Sequence, residues 1–216
     1  MRTNRLSAAA LVAAAALALS ACGGGDDGKQ PVVSGTAGSE KAATVLDRPF
    51  EKPELVLTDT HGKKYDFAER TKGRPTLLYF GYTNCPDVCP LTVSNIAIAR
   101  KKLSPAEREK LQVVFVTSDP ERDTPKRLGS WLRGAGDPSF VGLTGDFKDI
   151  QAAARSVGIG ISPPEKGKGG EIVSTHGAQV LAFSPKDDKA HVLYGEDATA
   201  GDYAEDLPKI VKGATP

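Results

Sequence analysis

Two short, uninterrupted apolar runs constrain the fold of this chain more than any other feature. The segments 76–81 and 112–117 each have the length of a strand and show no polar alternation, which is typical of strands buried on both faces of a sheet. Between them, the segment from Cys89 to Leu103 carries an imperfect apolar stripe and is predicted to form a helix. A strand, a helix and a second strand in succession indicate an α/β domain.

The rest of the chain continues this alternation. A turn at 59–62 predicts a hairpin within 55–67, and Thr124-Pro125 is a typical helix start. Further elements are predicted at 125–133 (helix), 140–143 (strand), 147–157 (helix), 178–183 and 191–194 (strands), and 202–212 (helix). This order predicts a thioredoxin-like fold, with a central mixed β-sheet flanked by helices and an added N-terminal β-hairpin.

The N-terminal segment is typical of an exported protein. Arg2 and Arg5 precede an apolar run of about a dozen residues, which is shorter than the roughly 20 that cross a bilayer. The run ends in Leu-Ser-Ala-Cys at Cys22, which resembles a bacterial lipobox whose cysteine is lipidated. We therefore expect a lipoprotein signal peptide at 1–22, a flexible tether at 23–44 and a folded domain at 45–215, anchored at the outer face of the cell membrane.

Charge excludes one class of partner. The 28 Lys and Arg residues nearly balance the 27 Asp and Glu residues, for a net charge of +1. Binding to nucleic acid usually requires a basic surplus that neutralises phosphates. We therefore expect no nucleic-acid partner.

The most informative motif is a pair of cysteines where the first buried strand gives way to the helix. Cys85 and Cys89 are separated by three residues and flanked by Pro86 and Pro90. A helix N-terminus lowers the pKa of a nearby thiol, so we expect both cysteines to be rich in thiolate. Side chains four residues apart in a first helical turn lie about 5–6 Å apart. Such a pair could form a disulfide or hold one soft metal ion.

Copper(I) is the metal that suits this pair best. A structural zinc site takes four ligands and an iron–sulfur cluster needs further cysteines, whereas copper(I) accepts two thiolates and one imidazole. Of the three histidines, His61 lies in a predicted turn and His191 at a predicted strand surface. His176 directly precedes the strand at 178–183, which in a thioredoxin-like fold lies against the cysteine loop. We therefore predict His176 as the third ligand.

These motifs resemble the Sco/SenC family. The resemblance rests on 79–90 with the cysteine pair, on Ser118-Asp119-Pro120-Glu121-Arg122-Asp123-Thr124-Pro125, on 142–145 and on His176. It implies copper ligation by Cys85, Cys89 and His176, with Asp119 near the metal or fixing the turn at Pro120. It also implies copper(I) as cargo, copper(II) as a second bound form, and a cytochrome c oxidase subunit with a dinuclear copper site as the acceptor. Other copper chaperones would be further partners.

Two enzyme families with related folds fit the motif less well. A thioredoxin-type oxidoreductase normally has two residues between its cysteines, whereas here there are three. A peroxiredoxin would need Pro and Thr at the positions of Leu78 and Tyr82. A role as a thiol–disulfide reductase that keeps the oxidase cysteines reduced stays open beside the copper chaperone.

Overall fold

The computed structural model describes residues 42–167, 172–175 and 177–216. The predicted signal peptide, Cys22, the tether up to residue 41 and His176 lie outside the described residues. All described residues belong to one compact unit. In this part of the chain, no helix has both the length and the apolar character needed to span a membrane.

An eight-stranded mixed sheet forms the centre of the fold, in the order β1-β10-β9-β4-β5-β6-β2-β3. Its strands are β1 (Ala43–Glu51), β2 (Val56–Asp59), β3 (Lys64–Asp66), β4 (Thr76–Gly81), β5 (Gln112–Thr117), β6 (Val141–Thr144), β9 (Val180–Phe183) and β10 (Lys189–Tyr194). A separate two-stranded sheet pairs β7 (Glu165–Lys166) with β8 (Ile172–Val173). The helices are α1 (Phe67–Thr71), α2 (Val88–Lys101), α3 (Pro105–Lys110), α4 (Pro125–Ala135), α5 (Phe147–Ser156) and α6 (Ala200–Val211).

The two apolar runs pair in parallel at the middle of the sheet. β4 pairs with β5 from Thr76 opposite Gln112 to Gly81 opposite Thr117, while β9 covers the other side of β4 in antiparallel orientation. Because side chains alternate along a strand, Leu77 and Tyr79 enter one core and Leu78 and Phe80 enter the other. Residues of α2, α4 and α6 complete the first core, and residues of α1 and α5 complete the second.

The fold prediction is confirmed, including the added hairpin. The strands β2 and β3 form that hairpin, which joins the sheet through β6. The predicted strands 76–81 and 112–117 match the observed bounds. The topology places the end of β4, where the cysteines follow, beside the end of β5, where the second motif begins.

Some elements were not predicted. Strand β1 begins at Ala43, two residues before the expected start of the folded domain, and pairs with β10 through an irregular register. It is an edge strand whose residues are all half-buried or exposed, so its sequence lacks regular apolar alternation. Helices α1 and α3 have five and six residues, and α3 buries no residue at all, which leaves no periodic signal.

Candidate metal centre

The predicted cysteine pair comes together at the start of α2. The amide N–H of Cys89 donates a hydrogen bond to the sulfur of Cys85 at 3.4 Å. The first N–H groups of a helix have no partner within the helix, and here the Cys85 sulfur accepts one of them. Asp87 caps the same helix by accepting from the N–H of Val88 at 2.7 Å. Cys85 thus lies in the loop before the helix. The four-residue spacing had instead suggested that both cysteines lie in the first helical turn.

The two thiols lie in different surroundings. Cys89 is completely buried, and Cys85 keeps a relative exposure of 5% beside the exposed Pro86 and Asp87. The thiol of Cys85 donates to the Asp87 carboxylate at a long 3.8 Å. Cys85 is therefore the sulfur on the solvent side of the pair.

The expectation that both cysteines are rich in thiolate is wrong for Cys89. Burial raises the pKa of the Cys89 thiol to about 12, and the favourable contacts with Tyr79 and with the backbone of Tyr82 do not offset it. The helix N-terminus supplies a favourable partial charge, but desolvation of a fully buried thiolate costs more. In the metal-free protein, Cys89 is a neutral thiol at neutral pH.

Two tyrosines line the pair. The hydroxyl of Tyr79 donates to the Cys89 sulfur at 3.3 Å. Burial raises the pKa of Tyr82, and the nearby Cys85 and Cys89 add to that effect, so its phenol lies beside the cysteine loop. Gly81 makes room for the inner sulfur, because a Cβ at this position would lie 2.8 Å from the Cys89 Sγ.

A buried carboxylate that the sequence analysis did not single out fixes the loop. Asp123 has no exposed surface, and its oxygens accept from the N–H of Thr83 at 2.9 Å, the Thr83 hydroxyl at 2.5 Å and the Thr117 hydroxyl at 2.6 Å. Arg127 lies 3.9 Å from the same carboxylate and also donates to Thr83 and Asn84. The carboxylate thereby links the loop before Cys85 to the end of β5. The signal that could have identified Asp123 in the sequence is its place in the motif from Ser118 to Pro125.

Asp119 fixes a turn, and none of its described contacts reaches a cysteine. Its backbone carbonyl accepts from the N–H groups of Arg122 at 3.2 Å and Asp123 at 2.9 Å, and its buried carboxylate forms an ion pair with Arg122. Of the two roles that the sequence left open for Asp119, these contacts support the turn. The guanidinium of Arg122 also donates to the buried Ser174 hydroxyl at 3.2 Å.

His176 lies outside the described residues, but the residues on either side of it make specific contacts, and that of Ser174 reaches the Asp119 turn. Ser174 is held by Arg122, and the Thr175 hydroxyl accepts from the N–H of Ser162. A Cβ on Gly177 would lie 2.4 Å from Ile159, so this position requires glycine for its close approach. Among residues 42–167, 172–175 and 177–216, no three His, Cys, Asp or Glu side chains are grouped to hold a metal.

The other two histidines do not join the cysteines. The side chain of His61 is 80% exposed and lies 4.0 Å from Asp59 in the hairpin turn. His191 on β10 contacts Asp187 at 2.8 Å. Both positions agree with the solvent-side roles expected from the sequence.

The part of the chain that contains this site is similar to known proteins. Residues 43–212 match the protein-family model described as SCO1/SenC. The chain belongs to the SCO1/SenC family. A protein of Stutzerimonas stutzeri named for copper binding is 36% identical over 154 residues, which cover 69% of this chain and 74% of that protein. Mitochondrial SCO1 of Saccharomyces cerevisiae is 34% identical over 130 residues, covering 58% of this chain but 43% of the yeast protein.

Solved structures of Sco proteins match the fold. ScoI of Bradyrhizobium japonicum with copper bound is 30% identical, with a TM-score of 0.62, covering 76% of this chain and 98% of that one. The apo Sco1 protein of Thermus thermophilus is also 30% identical, with a TM-score of 0.67, covering 79% and 98%. The thioredoxin-like fold assigned from the sequence is therefore the fold of the family.

We predict that Asp123→Asn destabilises the domain by about 2–4 kcal/mol, because the new amide hydrogens face groups that also donate. Chemical denaturation of the described domain would measure this loss. Asp59→Asn is the matched control, since Asp59 also accepts from two backbone N–H groups but sits in a surface turn. Equal effects of the two substitutions would show that the Asp123 contacts do not hold the loop.

We also predict that Cys89 of the reduced, metal-free protein is alkylated slowly at pH 8 and faster as the pH rises towards 12. Its raised pKa leaves only about one molecule in ten thousand as thiolate at pH 8. Mass spectrometry of Cys85→Ser after timed iodoacetamide treatment would give the rate, with an unstructured cysteine peptide as the control. We expect the reaction to be at least about a hundredfold slower than with the peptide. A rate equal to that of the peptide would contradict the assignment.

Proposed function

We propose that this protein is a membrane-anchored, extracytoplasmic copper chaperone, with Cys85, Cys89 and His176 as its copper ligands. The observation that carries the proposal is the contact between the Cys89 N–H and the Cys85 sulfur, which holds two soft donors together at the end of β4. Thiolates select copper(I), and two thiolates leave one coordination position for an imidazole. The contacts of Ser174, Thr175 and Gly177, which flank position 176 in the sequence, support the choice of His176 as the third ligand.

Copper is the cargo in this proposal, so the protein carries an ion and need not turn over a substrate. Copper(I) would bind to the reduced pair, and copper(II) would bind as a second form with an additional oxygen ligand. Cys85 lies on the solvent side, next to the exposed Pro86 and Asp87. An acceptor thiolate would therefore displace Cys85 first and Cys89 last, by stepwise ligand exchange.

The proposed acceptor is the cytochrome c oxidase subunit that carries a dinuclear copper site. Membership of the SCO1/SenC family supports this choice. The copper-bound ScoI of Bradyrhizobium japonicum, similar over most of this chain, supports copper as the ion. Other copper chaperones are proposed as the donors that load the site.

A second candidate function, reduction of a disulfide in the oxidase, is favoured by the closeness of the two thiols. The Cys85 thiolate would attack the acceptor disulfide, forming a mixed disulfide and releasing one acceptor thiolate. Cys89 would then attack the mixed disulfide, releasing the second thiol and leaving a Cys85–Cys89 disulfide. The pair supplies the two electrons, and the Cys89 thiol would pass its proton to the released acceptor thiolate before its own sulfur attacks.

We predict that the reduced soluble domain binds one copper(I) per chain and that His176→Ala weakens binding by at least about tenfold, because changing even a residue that only supports a metal ligand costs about that much affinity. Anaerobic competition with a chromogenic copper(I) chelator would measure the affinity, with circular dichroism to check the fold. His61→Ala is the control, because His61 is exposed and distant from the cysteines in the chain.

The same experiment separates the two functions. Unchanged copper(I) affinity in His176→Ala, in a protein that still reduces the disulfide of an oxidase fragment, would favour the reductase. A protein that binds no copper(I) in any form would contradict the chaperone directly.

For the membrane anchor, we predict that Cys22→Ser moves the full-length protein from the membrane fraction to the soluble fraction after export. Two or more acyl chains bind a bilayer stably, and this substitution removes the residue to which they would be attached. Fractionation of cells that produce each form would test this, with a Cys85→Ser chain as the control for loss of a cysteine. Membrane association that survives the change at Cys22 would contradict lipidation there.

A further inference from the structure

A buried hydrogen bond lies on the inner side of the cysteine pair, away from the solvent-side sulfur of Cys85 that an acceptor would approach. The Tyr79 hydroxyl donates to the Cys89 sulfur at 3.3 Å. Tyr79 is 1% exposed and Cys89 is completely buried, so solvent does not compete for this contact. A hydrogen bond to sulfur in such a site can act on the chemistry of the sulfur as well as on its position.

The geometry of this contact is fixed by the sheet. Tyr79 lies on the central strand β4, and its ring packs edge-on against Phe115 of the neighbouring β5, with ring centroids 5.6 Å apart at 73°. Gly81 is two residues further along and faces the same side of the sheet. Its missing Cβ creates the space that the Cys89 sulfur occupies, since a Cβ there would lie 2.8 Å from the sulfur. The Cys89 sulfur therefore occupies the space left by the missing side chain of Gly81, with the Tyr79 phenol beside it.

A second hydroxyl orients the phenol. Thr92 lies three residues after Cys89 on α2 and is 4% exposed, and its side chain lowers the pKa of the Tyr79 phenol, against the larger raising effect of burial. When the Thr92 hydroxyl donates to the phenolic oxygen, the hydrogen of the phenol is directed at the sulfur. Thr92, Tyr79 and Cys89 then form a short buried chain of hydrogen bonds that ends on the sulfur.

We propose that the hydrogen bond from Tyr79 to the Cys89 sulfur stabilises the reduced states of the site, which are the dithiol over the disulfide and copper(I) over copper(II). The part that concerns copper rests on the proposed function. A donor to a thiolate ligand withdraws charge from the sulfur, and hydrogen bonding around a cysteine ligand sets the potential of a copper site. Tyr79 would thus favour copper(I) over copper(II), which differ by one electron.

In the metal-free protein the same hydrogen bond acts on the thiol couple. A disulfide sulfur accepts a hydrogen bond more weakly than a thiol or thiolate does. Reduction of the Cys85–Cys89 disulfide takes up two electrons and two protons, and the Tyr79 hydroxyl stabilises the product. It would therefore favour the dithiol over the disulfide.

Tyr79→Phe tests this proposal, because it removes the hydroxyl and keeps the ring that packs on Phe115. In the metal-free protein, equilibration with a thiol–disulfide buffer should show a shift of about two- to tenfold towards the disulfide, the size expected for one hydrogen bond between neutral groups. In the copper(II)-loaded protein, the sulfur-to-copper charge-transfer band should move to longer wavelength, and the ratio of copper(II) to copper(I) affinity should rise by about tenfold.

Tyr203→Phe is the matched control. Tyr203 is also a completely buried tyrosine, and within the described part of the chain its hydroxyl has no hydrogen-bond partner. Its removal should change none of these values. An unchanged thiol–disulfide equilibrium in a folded Tyr79→Phe protein would overturn the inference, whatever copper does. If the wild-type protein bound no copper, the chaperone proposal would fail, and the metal-free measurement would still decide the role of Tyr79.

Discussion

The rest of the site depends on the hydrogen bonds to the buried carboxylate of Asp123. A charge without contact with water is costly unless donors surround it, and here the donors come from the loop before Cys85 and from the end of β5. The need to satisfy one charge therefore joins two motifs that are far apart in the sequence. The loop that carries Cys85 is held as a consequence, and the Cys85 sulfur accepts a hydrogen bond from the Cys89 N–H in the first turn of α2.

Around this anchor, the two cysteines become chemically different. Cys85 is in contact with the exposed, charged end of the loop through Asp87, and Cys89 lies in the core against a tyrosine and a glycine of β4. One sulfur can meet a partner, and the other is protected from solvent and adjusted by its neighbours. This asymmetry would suit either proposed function, because copper transfer and disulfide exchange would both proceed in steps that start at the accessible sulfur.

The sequence predicted correctly those elements whose signal lies within their own residues. The strands at 76–81 and 112–117 were predicted with their observed bounds, because central strands buried on both faces need only a continuous apolar run. The edge strand β1 was missed because its pairing with β10 defines it more than its own pattern does. In the site, the cysteine spacing is visible in the sequence. The partners of Asp123 are not, since Thr83 is 40 residues away and Thr117 is 6 residues away. The sequence predicted a lowered pKa for Cys89, but its pKa is raised. Desolvation depends on packing, and it outweighs the local effect of the helix.

X-ray absorption spectroscopy of the anaerobically copper(I)-loaded domain tests the central claim most directly, because it counts the atoms bound to the metal. The account predicts a three-coordinate ion with two sulfur neighbours and one nitrogen neighbour of imidazole type. A spectrum with two sulfurs and no nitrogen, or with sulfurs shared between two chains, would contradict a site built from Cys85, Cys89 and His176 of a single chain.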